Sequence, residues 1–248
     1  MVASMILIFS YFFIFFVVAQ VIKNNSIVDI GWGLGFVIVV WFTFFLSKDL
    51  IFSKIILNIM ISIWGLRLFF YILKRNVFQE EDFRYQNFRK AWGKYVVIRA
   101  FFQVFMLQGI FMILIVFNSI YFNINNYDFN LYSLIGVVIF VIGIMFEAVG
   151  DAQLKKHLKE NKTLMKTGLW KYTRHPNYFG ESLLWFGIFI YTLINGAPFY
   201  LIFSPLTIFI LVRYVSGVPM LEKKMVKYDG YREYMRQTNI FFPWSSRR

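Results

Sequence analysis

Residues 4–22 read SMILIFSYFFIFFVVAQVI, a run without Asp, Glu, Lys or Arg that is long enough to cross a bilayer as one helix. No basic stretch precedes it and no small-residue cleavage site follows it, so it is expected to stay in the mature chain as a membrane helix. Working outward, comparable apolar runs lie near 27–46, 50–73, 100–120, 132–150, 180–196 and 199–216. The expected fold is all-α, a polytopic membrane protein of about seven transmembrane helices forming a single membrane-embedded domain over 1–248. Composition agrees: of 248 residues 59% are apolar, 22% aromatic and only 16% charged. Soluble chains average about 25% charged residues, so this one has too little polar surface to face water on every side. With no Cys there is no disulfide, no Cys-ligated metal and no thiol nucleophile, and two His make a His-rich site unexpected. The expected number of metal sites is none.

Three polar stretches, 74–99, 151–179 and 213–248, carry almost all the positive charge. The first holds Lys74, Arg75, Arg84, Arg89, Lys90, Lys94 and Arg99; the second holds Lys155, Lys156, Lys159, Lys162, Lys166, Lys171 and Arg174. Seven helices place all three on one side, which the positive-inside rule makes cytoplasmic. The N-terminus is then outside, the C-terminus inside, and any site built from these stretches faces the cytoplasm. Residues 121–130 have no Lys or Arg and 195–198 are neutral, as outward connections should be; Lys48 and Lys54 are the exception. The net charge of +13 reads as a topology signal and as attraction to anionic lipid head groups. Membrane lipids are therefore the expected partner, and nucleic acid is not. Abundant Ile, Phe, Asn and Lys suggest an AT-rich bacterial genome, hence a plasma (inner) membrane.

Ionisable groups in lipid are costly and are functional candidates by default. Asp29, Arg67, Glu147 and Glu181 lie within or at the ends of spans, all in the expected cytoplasmic half. Either one polar cavity collects them, or they form structural pairs such as Asp29 with Arg67. Gly31, Gly33 and Gly35 mark close helix packing; a nucleotide loop would need a preceding strand. Residues 79–85 read Gln-Glu-Glu-Asp-Phe-Arg-Tyr, followed by Trp92-Gly93, which alone is equally a solvated charge cluster or part of a site. The segment from Gly168 to Glu181, Gly-Leu-Trp-Lys-Tyr-Thr-Arg-His-Pro-Asn-Tyr-Phe-Gly-Glu, points to a ligand. Pro176 sets a helix start where free N–H groups favour an anion, Arg174 offers a planar fork, and His175, Asn177 and Tyr178 can read polar groups.

These segments, with Val28-Asp29-Ile-Gly-Trp-Gly, Trp64-Gly65-Leu66-Arg67-Leu68, Val104-Phe-Met-Leu-Gln108, Gly150-Asp151-Ala-Gln153-Leu and Val215-Ser-Gly-Val-Pro-Met-Leu-Glu222, resemble the steroid 5-alpha-reductase-like family. The likeness is to its bacterial branch of DUF1295 type and covers nearly the whole chain in order and spacing. The resemblance implies a seven-helix oxidoreductase that takes NADPH from the cytosol and reduces an activated C=C bond in a lipid-like or steroid-like substrate. On that basis Arg75, Arg84, Asp151, Arg174, His175, Asn177, Tyr178 and Glu181 line the cofactor site, and Asp29, Tyr85 and Arg67 carry the catalytic work. The steroid enzymes pair a membrane-buried Tyr with a Glu; an ungapped reading puts Trp64 near that Tyr, with Asp29 in place of the Glu. Trp cannot deliver a proton at neutral pH. Either Tyr85 or Tyr71 supplies it, or the steroid mechanism does not carry over.

A rival from the same superfamily is the isoprenylcysteine carboxyl methyltransferase type, which uses S-adenosylmethionine. It is similar in the Arg-His-Pro-x-Tyr-x-Gly segment and in an acidic helix followed by Gly-Tyr-x-x-Tyr, here Glu222 and then Gly230-Tyr231-Arg232-Glu233-Tyr234. It usually has paired Glu where this chain has Glu222-Lys223. A third possibility is a non-catalytic lipid-binding membrane protein.

Overall fold

The computed structural model describes residues 1–77, 79–161 and 163–244. Lys162 and the last four residues of the expected third polar stretch lie outside them. Among the described residues eleven α-helices follow one another. They are α1 (Val2–Ile22), α2 (Ile27–Ser47), α3 (Phe52–Asn76), α4 (Phe83–Trp92), α5 (Val96–Ala100) and α6 (Leu107–Ile124). After these come α7 (Leu134–Glu160), α8 (Pro176–Ile194), α9 (Phe203–Ile210), α10 (Val218–Met225) and α11 (Tyr231–Gln237). Phe101–Met106 and Leu211–Val215 are π-helical. Among the described residues the only β pairing is an isolated bridge between Thr173 and Asn239. The fold is all-α.

Among the described residues six helical stretches are long and apolar enough to cross a membrane: Val2–Ile22, Ile27–Ser47, Phe52–Asn76, Phe83–Ile124, Leu131–Glu160 and Phe199–Met225. The chain is a polytopic integral membrane protein. The run expected at 180–196 falls in α8, which is not one of the six. Its first turns carry Pro176, Asn177 and Glu181, and Ser182, Trp185, Tyr191 and Thr192 are buried along it. A helix enclosed by protein need not be as apolar as one bathed in lipid.

Contacts between residues divide the chain into two compact units, Met1–Phe129 with Asn195–Ala197, and Asn130–Ile194 with Pro198–Arg248. In the first, α2 and α3 touch backbone to backbone: a Cβ on Gly33 would collide with the carbonyl oxygen of Gly65, and one on Gly65 with that of Gly33. Gly31 faces Tyr11 and Phe15 of α1, and Gly35 faces Met112 of α6. The glycine-spaced run is therefore a packing surface, as its spacing implies. Trp64 is fully buried, its ring edge-on to Phe36 with centroids 5.2 Å apart. Lys54, the exception to the charge rule, is wholly enclosed, with Nζ donating to Asn126 Oδ1 at 2.9 Å and 3.9 Å from Asp49 Oδ2. It ties two connections together and is not a surface topology signal.

In the second unit α7 and α8 form the tightest pair. Gly136, Gly143 and Gly150 recur every seventh residue on α7, and Gly180 and Gly187 do so on α8. A Cβ on Gly136 would meet the carbonyl of Gly187, and one on Gly143 that of Gly180. Seven-residue spacing of small residues keeps one seam facing the partner over several turns. Elsewhere on α7, Ile135, Val138, Ile142, Met145 and Val149 are exposed at helical spacing, a stripe suited to lipid.

Candidate functional site

Two polar clusters hold most of the expected site residues, one in each unit. In the first unit the short turn between α1 and α2 is pinned to residues 81–89. Glu81 accepts from the Asn25 backbone N–H at 2.8 Å and from both Nε and Nη2 of Arg89, at 3.0 and 2.9 Å. Asp82 N–H donates to Ser26 Oγ at 2.6 Å. Asp82 is also the N-cap of α4: its Oδ1 accepts from Arg84 N–H and from Arg84 Nε, each at 2.9 Å. Burial pushes the Asp82 carboxyl up, but the hydrogen bonds from Arg84 and the charges of Arg84 and Arg75 outweigh it, holding Asp82 below the ordinary range.

Held this way, Arg84 reaches Asp29 in the first turn of α2, Nη2 lying 2.7 Å from Oδ2. Tyr85, one residue on and 5% exposed, donates its hydroxyl to Asp29 Oδ1 at 2.8 Å. Asp29, Arg84 and Tyr85 thus form one constellation at the end of a spanning helix. The pair of Asp29 with Arg67 is not what forms: Asp29 is bound by Arg84 and Tyr85, while the Arg67 guanidinium lies 5.9 Å from the centroid of Tyr71. Arg75, exposed, flanks the same ring at 5.8 Å, so Arg67, Tyr71 and Arg75 line one face of α3 at four-residue spacing. Trp64, one turn from Arg67, is core.

In the second unit the Thr173-Arg174-His175 segment meets α10 and the chain after α11. Arg174 Nε and Nη2 grip Glu222 at 3.0 and 3.1 Å, and its Nη1 donates to the carbonyls of Met235 and Thr238 at 3.1 and 2.7 Å. His175 Nε2 and the Tyr231 hydroxyl both lie 2.8 Å from Glu222 Oε1. Burial lowers the His175 pKa against the pull of Glu222, so the ring is neutral at pH 7 and donates its Nε2–H. Thr173 Oγ1 donates to Phe241 O, and Tyr234 OH to the carbonyl of Trp170, whose indole N–H caps Gly150 O. Beside this knot Asn177 donates to Asp151 Oδ1 at 3.1 Å, and Tyr178 stacks on His175 with ring centroids 5.7 Å apart. Glu181 follows one turn later on α8.

Arg174 therefore departs from its expected part as a phosphate ligand. Both Nη1 hydrogens, Nε and one Nη2 hydrogen are engaged within the protein, which leaves a single N–H of the fork. Glu222 was legible as the end of a family-like segment and in the methyltransferase-like pattern, with no partner assigned, and Ser26 not at all. Asp82 was legible as a quoted acid with no role, although Asp just before a helical run is an N-cap signal. Among the described residues no group of three or more His, Asp or Glu could hold a metal ion.

A family profile described as "Protein of unknown function (DUF1295)" matches residues 15–238, which spans both clusters. The chain belongs to the DUF1295 family. The DUF1295 chain is also 24% identical to the "Uncharacterized protein C594.04c" of Schizosaccharomyces pombe, over 73% of this chain and 61% of that protein. It thus spans under two thirds of the length of that relative. No solved structure matches it.

Proposed function

We propose that this protein is an NADPH-dependent reductase of an activated C=C bond in a lipid-like substrate, with its site open to the cytoplasmic face of a bacterial plasma membrane and seven spans including α8. The observation that carries the reading is the Tyr85–Asp29 pair, with Arg84 holding the second carboxylate oxygen. It restores, with other residues, the phenol and carboxyl that Trp64 had put in doubt. Reduction of an enone needs a donor where negative charge develops on the carbonyl oxygen. Tyr85 is that donor. Asp29 orients its hydroxyl and, beside the partly exposed Arg84, is the group through which the proton is replaced from the aqueous side. Arg67 acts in this reading as a fixed positive charge on the neighbouring helix.

Within the first unit two arginines suit the phosphates of a dinucleotide. Arg75 is exposed, and Arg84 uses only Nε and one Nη2 hydrogen on Asp82 and Asp29, so both retain N–H groups for phosphate. In the second unit, taken by itself, Asp151, Asn177, Tyr178 and Glu181 carry amide, hydroxyl and carboxyl groups of the kind that bind ribose. NADPH, when bound, supplies the hydride; the chain supplies position, dryness and the proton. A second reading, methyl transfer from S-adenosylmethionine, is favoured by one observation: Glu222 is bound to Arg174 and His175, so the two methyltransferase-like patterns meet.

Thermal unfolding of the detergent-purified protein with NADPH, NADH or S-adenosylmethionine separates these readings, because a ligand of the native state raises apparent stability. Stabilisation by NADPH together with its oxidation by an enone lipid is the expected result. Stabilisation by S-adenosylmethionine alone overturns the reductase, and no response to any of them leaves a lipid-binding protein without this chemistry.

A further inference from the structure

Gln108 lies in the first turn of α6, roughly 12 Å along the helical path from Ala100. Its Oε1 is enclosed and has no hydrogen-bond partner among the described residues. The turns to either side are apolar and buried, with Val104 and Phe105 before it and Met112 after it. Gly109 packs on the rings of Phe9 and Phe12, and Met112 on Gly35. The buried hydroxyls in the same condition, among them Ser119, can turn back to the carbonyl one turn earlier at little cost. A Gln carboxamide has no such local recourse. A water there would need two or more further polar partners. A buried amide oxygen without a donor is costly, while the side chain as a whole is only half-buried, so the amide can turn toward an incoming polar group. The π-helical turn Phe101–Met106 leads directly into this position, and such turns re-aim side chains at functional sites.

The depth can be read from packing. Helices α2 and α6 both run away from the end marked by α4, which binds Asp29 and is followed by α5 and α6. Met112 sits against Gly35, so one turn back on each helix sets Gln108 at about the depth of Gly31, in the turn of α2 that contains Asp29. We propose that Gln108 is the polar contact of a lipid site in the first unit, pairing with the single ketone or hydroxyl oxygen of an otherwise apolar ligand. A carboxamide donates and accepts, so it takes either group. The inference rests on the reductase reading only in calling that ligand the substrate.

The test is thermal unfolding of the full-length protein in detergent with a C14 ketone, the matching alcohol and the matching alkane. Wild type should gain about 3 °C with the ketone and the alcohol at saturation and less than about 1 °C with the alkane. Gln108→Leu should melt higher than wild type without ligand and should no longer distinguish the three; Gln108→Met, close in volume, should behave alike. Equal shifts by all three compounds in wild type overturn the proposal, as does an oxygen preference that survives Gln108→Leu. Oxygen-selective binding without NADPH oxidation counts against the reductase and leaves the Gln108 site standing.

Discussion

Asp29 is bound on one oxygen by a phenol and on the other by a guanidinium, so conservative changes around it separate chemistry from fold. Tyr85→Phe removes one hydroxyl from a buried ring and should lower turnover about 10²–10⁴-fold, while NADPH affinity in the same preparation moves less than about threefold. Equal loss of both would make Tyr85 a structural partner of Asp29. Arg174 behaves differently because it is 6% exposed and clamps both Glu222 and the chain beyond α11. Arg174→Ala leaves Glu222 and two carbonyls short of donors and should cost on the order of 3 kcal/mol, seen as a fall of several degrees in melting temperature without any cofactor present. Asp82 adds a pH dependence of known sign. Its folded pKa is depressed, so its stabilisation is fully present above the ordinary Asp range and fades as pH falls through the lower folded value. Protection of the α4 amides, taken relative to the intrinsic exchange rate at each pH, should therefore fall on acidification in wild type, and Asp82→Ala should show that lower protection already at neutral pH.

At the scale of elements, the α7–α8 seam is the feature most sensitive to a single atom. Gly143 and Gly180 place backbone against backbone, with no room for a Cβ on either side. Gly143→Leu should force the helices apart and cost about 3 kcal/mol or more, whereas Ile142→Leu, one residue away on the exposed stripe, should be silent in the same thermal assay. The heptad spacing of these glycines is present in the sequence, and the lipid-facing stripe has the periodicity of any membrane helix. By contrast α4 and α11 are short and polar, with no span-length signal; they exist because Asp82 caps one and Gly230, at φ 73, starts the other. The partners of Asp29 were not legible either. Arg84 is 55 positions away in sequence, and Arg67, on the helix packed against α2, satisfies the same charge rule equally well. Only the anchoring of Asp82 to Ser26 aims Arg84 at Asp29.

For the molecule as a whole, the proposed orientation is open to labelling because the chain has no Cys. Single substitutions at exposed Lys90, Lys159 and Asp128 give three probes. Lys90→Cys and Lys159→Cys should react with a membrane-impermeant maleimide only from the cytoplasmic side, and Asp128→Cys only from the outside. Labelling of Asp128→Cys and Lys90→Cys from the same side would refute the topology. Membrane insertion and the all-α class follow from the sequence alone, because runs of about 20 apolar residues cross a bilayer as helices that satisfy their own backbone, whereas a barrel strand needs only about half that length and alternates. The close approach of helices at glycine was legible for a related reason: a missing side chain is a local fact. Only the tertiary structure decided which charge meets which, that Trp64 is core, that Lys54 is enclosed and that four of the five N–H groups of Arg174 are engaged within the protein. Those outcomes depend on side chains brought together from tens of residues apart, where charge and composition allow several pairings and packing selects one.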